Sequence, residues 1–184
     1  MTQHALEPRR PFFRPRDLLI SGAISLGVLI VVGSQHSLAE WAAYFGSLQI
    51  HPHLLDFALL AAQPVQIKLH IAAALTALLV GTVQLIGVKG TTVHRVLGWT
   101  WVLAMGTTAI SSLFIRELNP GRFSFIHLIS GWVIIALPMA LWAARTARIQ
   151  LHGRLMAGLF LGGLIIAGLL TFIPGRLMWR LFFS

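Results

Sequence analysis

Four histidines, His70, His94, His127 and His152, each stand at the start of a long apolar run in a chain of 184 residues. An imidazole next to hydrocarbon costs free energy unless it is partnered, which makes such residues functional candidates. Neutral imidazole is also an axial ligand of b-type haem, and two imidazoles from different helices of a bundle can clamp one haem between them. The four are therefore candidate cofactor-binding residues, and candidate metal ligands only in the sense of haem iron. No catalytic residue stands out. His70 and His127 open runs that enter from one face, His94 and His152 open runs that enter from the other, so the expected pairs are His70 with His127 and His94 with His152. The intervals are 24 residues from His70 to His94, 25 from His127 to His152, and 57 and 58 between members of a pair. Such a recurrence reads as a duplicated two-helix unit. One turn after the first three histidines stand Ala74, Gly98 and Gly131, small enough to leave space for a flat ring. His152 is followed by Met156 instead, with Gly153 and Gly158 close by.

A second account fits the same placement. Each histidine lies near an interface, with Lys68, Arg95 and Arg154 close in sequence, where a polar side chain is tolerated by bonding a neighbouring carbonyl or a lipid phosphate. At a rise of 1.5 Å per residue the two histidine layers would lie on the order of 27–30 Å apart along the membrane normal, long for direct electron transfer between them.

The elements that must position these residues are membrane helices. The composition is 57% hydrophobic and 10% charged, too apolar for one water-soluble core. The net charge of +9 sits mostly at the ends of apolar runs, which points to the lipid bilayer as partner and away from nucleic acid. The absence of cysteine excludes disulfides, thiolate metal sites, iron–sulfur clusters and covalent c-type haem. Runs long enough to cross about 30 Å of hydrocarbon are Leu18–Gly33, Val65–Val88, Val93–Ile115, Phe123–Ala144 and Leu151–Ile173. The expected fold is an all-α membrane protein of five transmembrane helices, the last four forming a bundle. It divides into a basic cytoplasmic N-terminus (1–17), a first helix (18–33), an outer loop with interfacial helices (34–64), a four-helix core (65–173) and an interfacial C-terminal tail (174–184).

Orientation follows the basic residues. With the N-terminus in the cytoplasm, Arg9, Arg10, Arg14, Arg16, Lys89, Arg95, Arg145, Arg148 and Arg154 fall on the cytoplasmic side, against the remaining five on the other. The expected location is the bacterial inner membrane. Arg9-Arg10-Pro11-Phe12-Phe13-Arg14 superficially matches a twin-arginine export signal. Val31–Gln35 makes a poor cleavage site, however, and the first run is expected to stay as a membrane helix. His51-Pro52-His53 is expected to be a solvated part of the outer loop. Trp179 and Phe182, with Arg176 and Arg180, are expected to anchor the tail at the interface.

All five acidic residues, Glu7, Asp17, Glu40, Asp56 and Glu117, lie outside the centres of the spans. That counts against a proton- or cation-coupled transporter, which needs a carboxylate at mid-membrane. No zinc-protease helix motif, phosphate-binding loop or nucleophile elbow occurs. Within the spans Gln84 is expected to make an interhelical hydrogen bond and Pro138 a kink. Gly158-x-x-x-Gly162 is expected to let helices approach closely.

The alternating ligand pattern resembles that of the ascorbate-linked two-haem transmembrane cytochromes b. A second resemblance is carried by local motifs: Lys89-Gly90-Thr91, His94-Arg95-Val96-Leu97-Gly98-Trp99, Phe123–Ser130 with Ile126-His127-Leu128, Ala144-Arg145, His152 with Met156, and Thr171-Phe172-Ile173-Pro174-Gly175-Arg176. From Val65 to about Phe182 these resemble a bacterial integral membrane protein family known as domain of unknown function 2306. Where that family shows His-Arg, this chain has His152-Gly153-Arg154. The resemblance implies an integral membrane protein and assigns no activity. Two functions follow from the residues themselves. One is a b-type haem protein moving electrons, with a quinone or other redox partner near His94, Arg95 and His152. The other is a non-catalytic scaffold or assembly partner, joined to another membrane protein or to copies of itself.

Overall fold

The computed structural model describes residues 50–115 and 126–183, together with the isolated helical positions Ala39, Ala43 and Gly46. The first expected span, 18–33, and the loop at Asn119-Pro120-Gly121 lie outside the described residues. What is described is helical: α1 (Phe57–Ala61), α2 (Val65–Ile86), α3 (Thr92–Ser112), α4 (Ile126–Arg145), α5 (Ile149–Phe160), a π-helical segment (Leu161–Ile166), α6 (Ala167–Leu170) and α7 (Leu177–Phe183). Three helices are long and apolar enough to cross a membrane, Val65–Ile86, His127–Arg145 and Ile149–Leu170. The last runs unbroken through α5, the π-helical segment and α6.

α3 has 21 residues, about 31 Å at helical rise, yet it is less apolar than its neighbours. The reason is its position. α3 packs against α2 on one side and α4 on the other, and it buries Trp101, Val102, Ala104, Met105, Thr108, Ala109, Ser111 and Ser112. A helix so enclosed by protein meets less lipid and tolerates hydroxyls that a lipid-facing helix would not. α4 packs against α5, and the π-helical segment touches both α2 and α4, which closes the ring of helices.

Small residues set how closely the helices approach. α2 buries Ala73, Ala77 and Gly81 and turns Leu69, Leu75, Leu79, Val83 and Ile86 outward, so its packed face is its narrow one. A Cβ on Gly81 would lie 2.6 Å from the rings of Phe160 and Trp101, and one on Gly163 would lie 2.9 Å from Met105 and Val133. Those two glycines, on α2 and in the π-helical segment, make the close approaches. The expected contact at Gly162 is not among them, because a Cβ there meets nothing within 4 Å among the described residues. The π-helical segment shifts the phase of the helix there, and Gly163 is the glycine that faces α3 and α4.

The ends of the bundle are finished by polar contacts. Thr91 caps α3 by accepting from the backbone N–H of His94, 3.1 Å. Lys89 Nζ donates to the final carbonyls of α2, among them those of Leu85 (2.9 Å) and Gly87 (2.8 Å), groups that no helical N–H satisfies. At the other end, the N–H groups of His53 and Asp56 donate to the carbonyls of Phe182 (2.9 Å) and Leu181 (3.1 Å). The segment before α1 therefore caps the last turn of α7, and tail and loop share one end of the bundle. His51 and His53 are exposed there, as expected of a loop. Phe172, Trp179, Phe182 and Phe183 pack ring on ring beside them. Burial pushes the Arg176 guanidinium below its ordinary value, at the turn where Gly175 takes a positive φ of 85°.

Candidate functional site

The four histidines occupy two ends of the bundle. At the first end, His70 Nδ1 of α2 lies 3.0 Å from the Thr108 carbonyl and 3.0 Å from Ser111 Oγ, both on α3. Ser111 turns its own proton to the Thr107 carbonyl, 2.6 Å. One residue on, Ser112 turns toward α4, where its hydroxyl bonds that of Ser130, while also donating to the Ala109 carbonyl, 2.7 Å. His127 lies one turn before Ser130 and is 7% exposed. The last turn of α3 thus bonds α2 through Ser111 and α4 through Ser112. Every buried polar residue among the described ones, Thr108, Ser111, Ser112, His127 and Ser130, belongs to this layer.

The second end is built differently. His94 Nδ1 lies 2.8 Å from Gln84 Oε1, and Gln84 Nε2 donates to the His94 carbonyl at 2.9 Å. This reciprocal pair ties the end of α2 to the start of α3, the interhelical bond expected of Gln84. His152 Nδ1 lies 3.0 Å from the Ala140 carbonyl of α4. His94 and His152 stand at this same end of the bundle. Arg145 stands over the Trp99 ring at 6.0 Å, and Arg148 over Trp142 at 4.5 Å.

These contacts fix a chemical property. A carbonyl or amide oxygen only accepts, so in the neutral rings of His70, His94 and His152 the proton sits on Nδ1. The lone pair is left on Nε2, which makes no hydrogen bond to a described residue in any of the three. Carbonyl contacts of this kind were expected of purely structural histidines. They are equally what orients a ligating imidazole and raises its basicity.

Residues 67–182, more than half of the chain, match the family described as predicted membrane protein (DUF2306). The chain belongs to this family. No curated protein and no solved structure matches it.

The membership accounts for an integral membrane protein of apolar helices, and the bundle geometry of this DUF2306 chain shows how the family-like motifs are used. In His94-Arg95-Val96-Leu97-Gly98-Trp99, the histidine bonds Gln84 and the tryptophan carries Arg145. Gly98, expected to leave room for a flat ring beside His94, is instead filled: a Cβ there would lie 3.2 Å from Gln84 Nε2. The glycine admits the amide that holds the histidine. An added Cβ on Gly131, after His127, meets nothing within 4 Å among the described residues. Among the described residues no group of three or more His, Asp or Glu side chains gathers as a metal site.

Between the two ends the core is filled by Ala77, Trp101, Met105, Val133, Ala136, Leu159 and Phe160. Spacing had marked the histidines but not the four hydroxyls around them. Serine and threonine bond their own helix at i−3 or i−4 and carry no periodic signal. The reduced apolarity of α3 was the available trace.

Proposed function

We propose that this membrane protein binds b-type haem through paired histidines, His70 with His127 at one end and His94 with His152 at the other, and moves electrons. The observation that supports this reading is the set of Nδ1 contacts. Three of the four rings are held by an acceptor oxygen from another helix, or across the α2–α3 turn, which leaves Nε2 as the basic atom. The donor set fits haem b, which asks for neutral imidazoles, needs no cysteine, and is favoured by apolar surroundings. Bound there, haem would supply a one-electron couple at its iron. The protein's part is to hold each Nε2 in one tautomer and direction, and to keep water from the first end through the buried layer around Thr108, Ser112 and Ser130. A quinone or another redox protein near His94, Arg95 and His152 is the proposed electron partner. The proposed setting is the bacterial inner membrane with a cytoplasmic N-terminus.

The test is to express the protein with haem supplied, purify it in detergent and record its reduced-minus-oxidised spectrum. Haem bands that weaken in both His70→Ala and His127→Ala, with the remainder lost in His94→Ala, support the pairing. A folded protein without bands overturns it. A scaffold role is the competing reading, favoured by Gly162 and Gly168, where an added Cβ meets nothing within 4 Å among the described residues. It requires that histidine substitutions leave the spectrum unchanged and that bulk at Gly162 disrupts association.

A further inference from the structure

We infer that the corner between α4 and α5 is a binding site for the phosphate headgroup of an anionic phospholipid. The chain leaves α4 at Arg145 and enters α5 at Ile149. Between them Ala147 adopts a left-handed φ of 56°, and Arg148 N–H closes the corner on the Ala143 carbonyl, 2.8 Å. The concavity so formed is shallow and widely open, with a volume of about 500 Å³, and is lined by Arg148, Gln150 and Arg154 among others. That is room for a phosphodiester and its polar substituent. The corner lies where two membrane-crossing helices end, the depth at which headgroups lie.

Two features favour a lipid phosphate over other occupants. The guanidiniums of Arg145 and Arg148 rest on the faces of Trp99 and Trp142, half-exposed indoles of the kind that settle at the membrane interface. Stacking holds each guanidinium at that level while leaving its N–H groups available, and a guanidinium matches a phosphate through paired hydrogen bonds. The charge is also one-sided. Asp56, the carboxylate among the described residues, sits at the opposite end of the bundle, where its side chain accepts from Leu59 N–H. No carboxylate among the described residues stands at this corner, so an anion would be favoured there as a counter-charge. Anionic lipid headgroups are the concentrated source at that depth, and basic pockets at helix ends bind them.

The experiment measures affinity of the full-length protein, delipidated in neutral detergent, for phosphatidylglycerol, for phosphatidylcholine of the same chains and for inorganic phosphate. Tryptophan fluorescence is the readout, since Trp99 and Trp142 flank the site. Phosphatidylglycerol is expected to bind saturably and phosphatidylcholine to bind far more weakly. Arg148→Gln is expected to weaken phosphatidylglycerol about tenfold, the loss of one charge-assisted contact, Arg145→Gln to weaken it less, and Arg180→Gln at the other end to leave it unchanged. Should Arg148→Gln fail to fold, Arg148→Lys keeps the charge without the planar fork and is expected to fall between. Equal binding of the two lipids, or unchanged affinity in the folded arginine variants, overturns the inference. So does inorganic phosphate that competes at the lipid's own concentration, which would mark a small-anion site.

Discussion

Replacing Gly81 with alanine tests the packing on which both histidine layers depend. The added Cβ would lie 2.6 Å from Phe160 Cδ2, Phe160 Cε2 and Trp101 Nε1, where contact needs about 3.5 Å. Roughly 0.9 Å must therefore be found against three atoms at once. Neither ring can yield by swinging a flexible end, because Phe160 and Trp101 are 6% and 5% exposed in the core between α2, α3 and α5. Overpacking of this kind costs about 1–3 kcal/mol. Gly162→Ala, only 1 residue from the crowded Gly163, is the control, since its Cβ meets nothing within 4 Å among the described residues; it should be neutral or slightly stabilising. The assay is unfolding in mixed detergent micelles followed by far-UV circular dichroism, with tryptophan fluorescence as a second probe to which the buried Trp101 contributes. Equal stability of the two variants would show that α2 does not lie against α3 and α5 through Gly81, and the ring of helices would need redrawing.

Other substitutions probe single contacts. Ala147→Gly should raise the thermal midpoint, because a left-handed φ of 56° strains an alanine by about 1 kcal/mol and not a glycine. A lowered midpoint would contradict the corner geometry. Gln84→Leu removes both bonds to His94 and should destabilise by about 1–3 kcal/mol, with easier opening of the α2–α3 contact seen as reduced hydrogen-exchange protection near Thr91; unchanged protection would count against the reciprocal pair. For the Ser112–Ser130 bond, a double-mutant cycle of the two alanine variants should give a coupling of about 0.5–1.5 kcal/mol, and strictly additive effects would place the hydroxyls apart.

The apolar spans were the most legible part of the sequence, because lipid imposes length and hydropathy on them. Val65–Val88 corresponds to α2, ending at Ile86 where Lys89 takes over the carbonyls. Leu151–Ile173 corresponds to the helix from Ile149 to Leu170, although nothing in the spacing announced its π-helical segment. The grouping of His70 with His127 and of His94 with His152 at opposite ends followed from counting spans. What spacing could not give was the set of partners. Gln84 stood out as an amide in hydrocarbon, but its two bonds to a residue ten positions on depend on the α2–α3 turn. Gly98 looked like space for a ring and proved to be space for that amide, since a glycine states only that something approaches. Ser111 and Ser112 point to different helices although adjacent, which is a property of helical phase and of the neighbours.

The most direct test of the central claim is the reduced-minus-oxidised absorption spectrum of the purified, haem-supplied protein beside its His70→Ala, His127→Ala and His94→Ala variants. Paired ligation predicts haem bands in the parent, the same partial loss in His70→Ala and His127→Ala, and loss of the complementary fraction in His94→Ala. A stable, folded parent protein that shows no haem bands contradicts it.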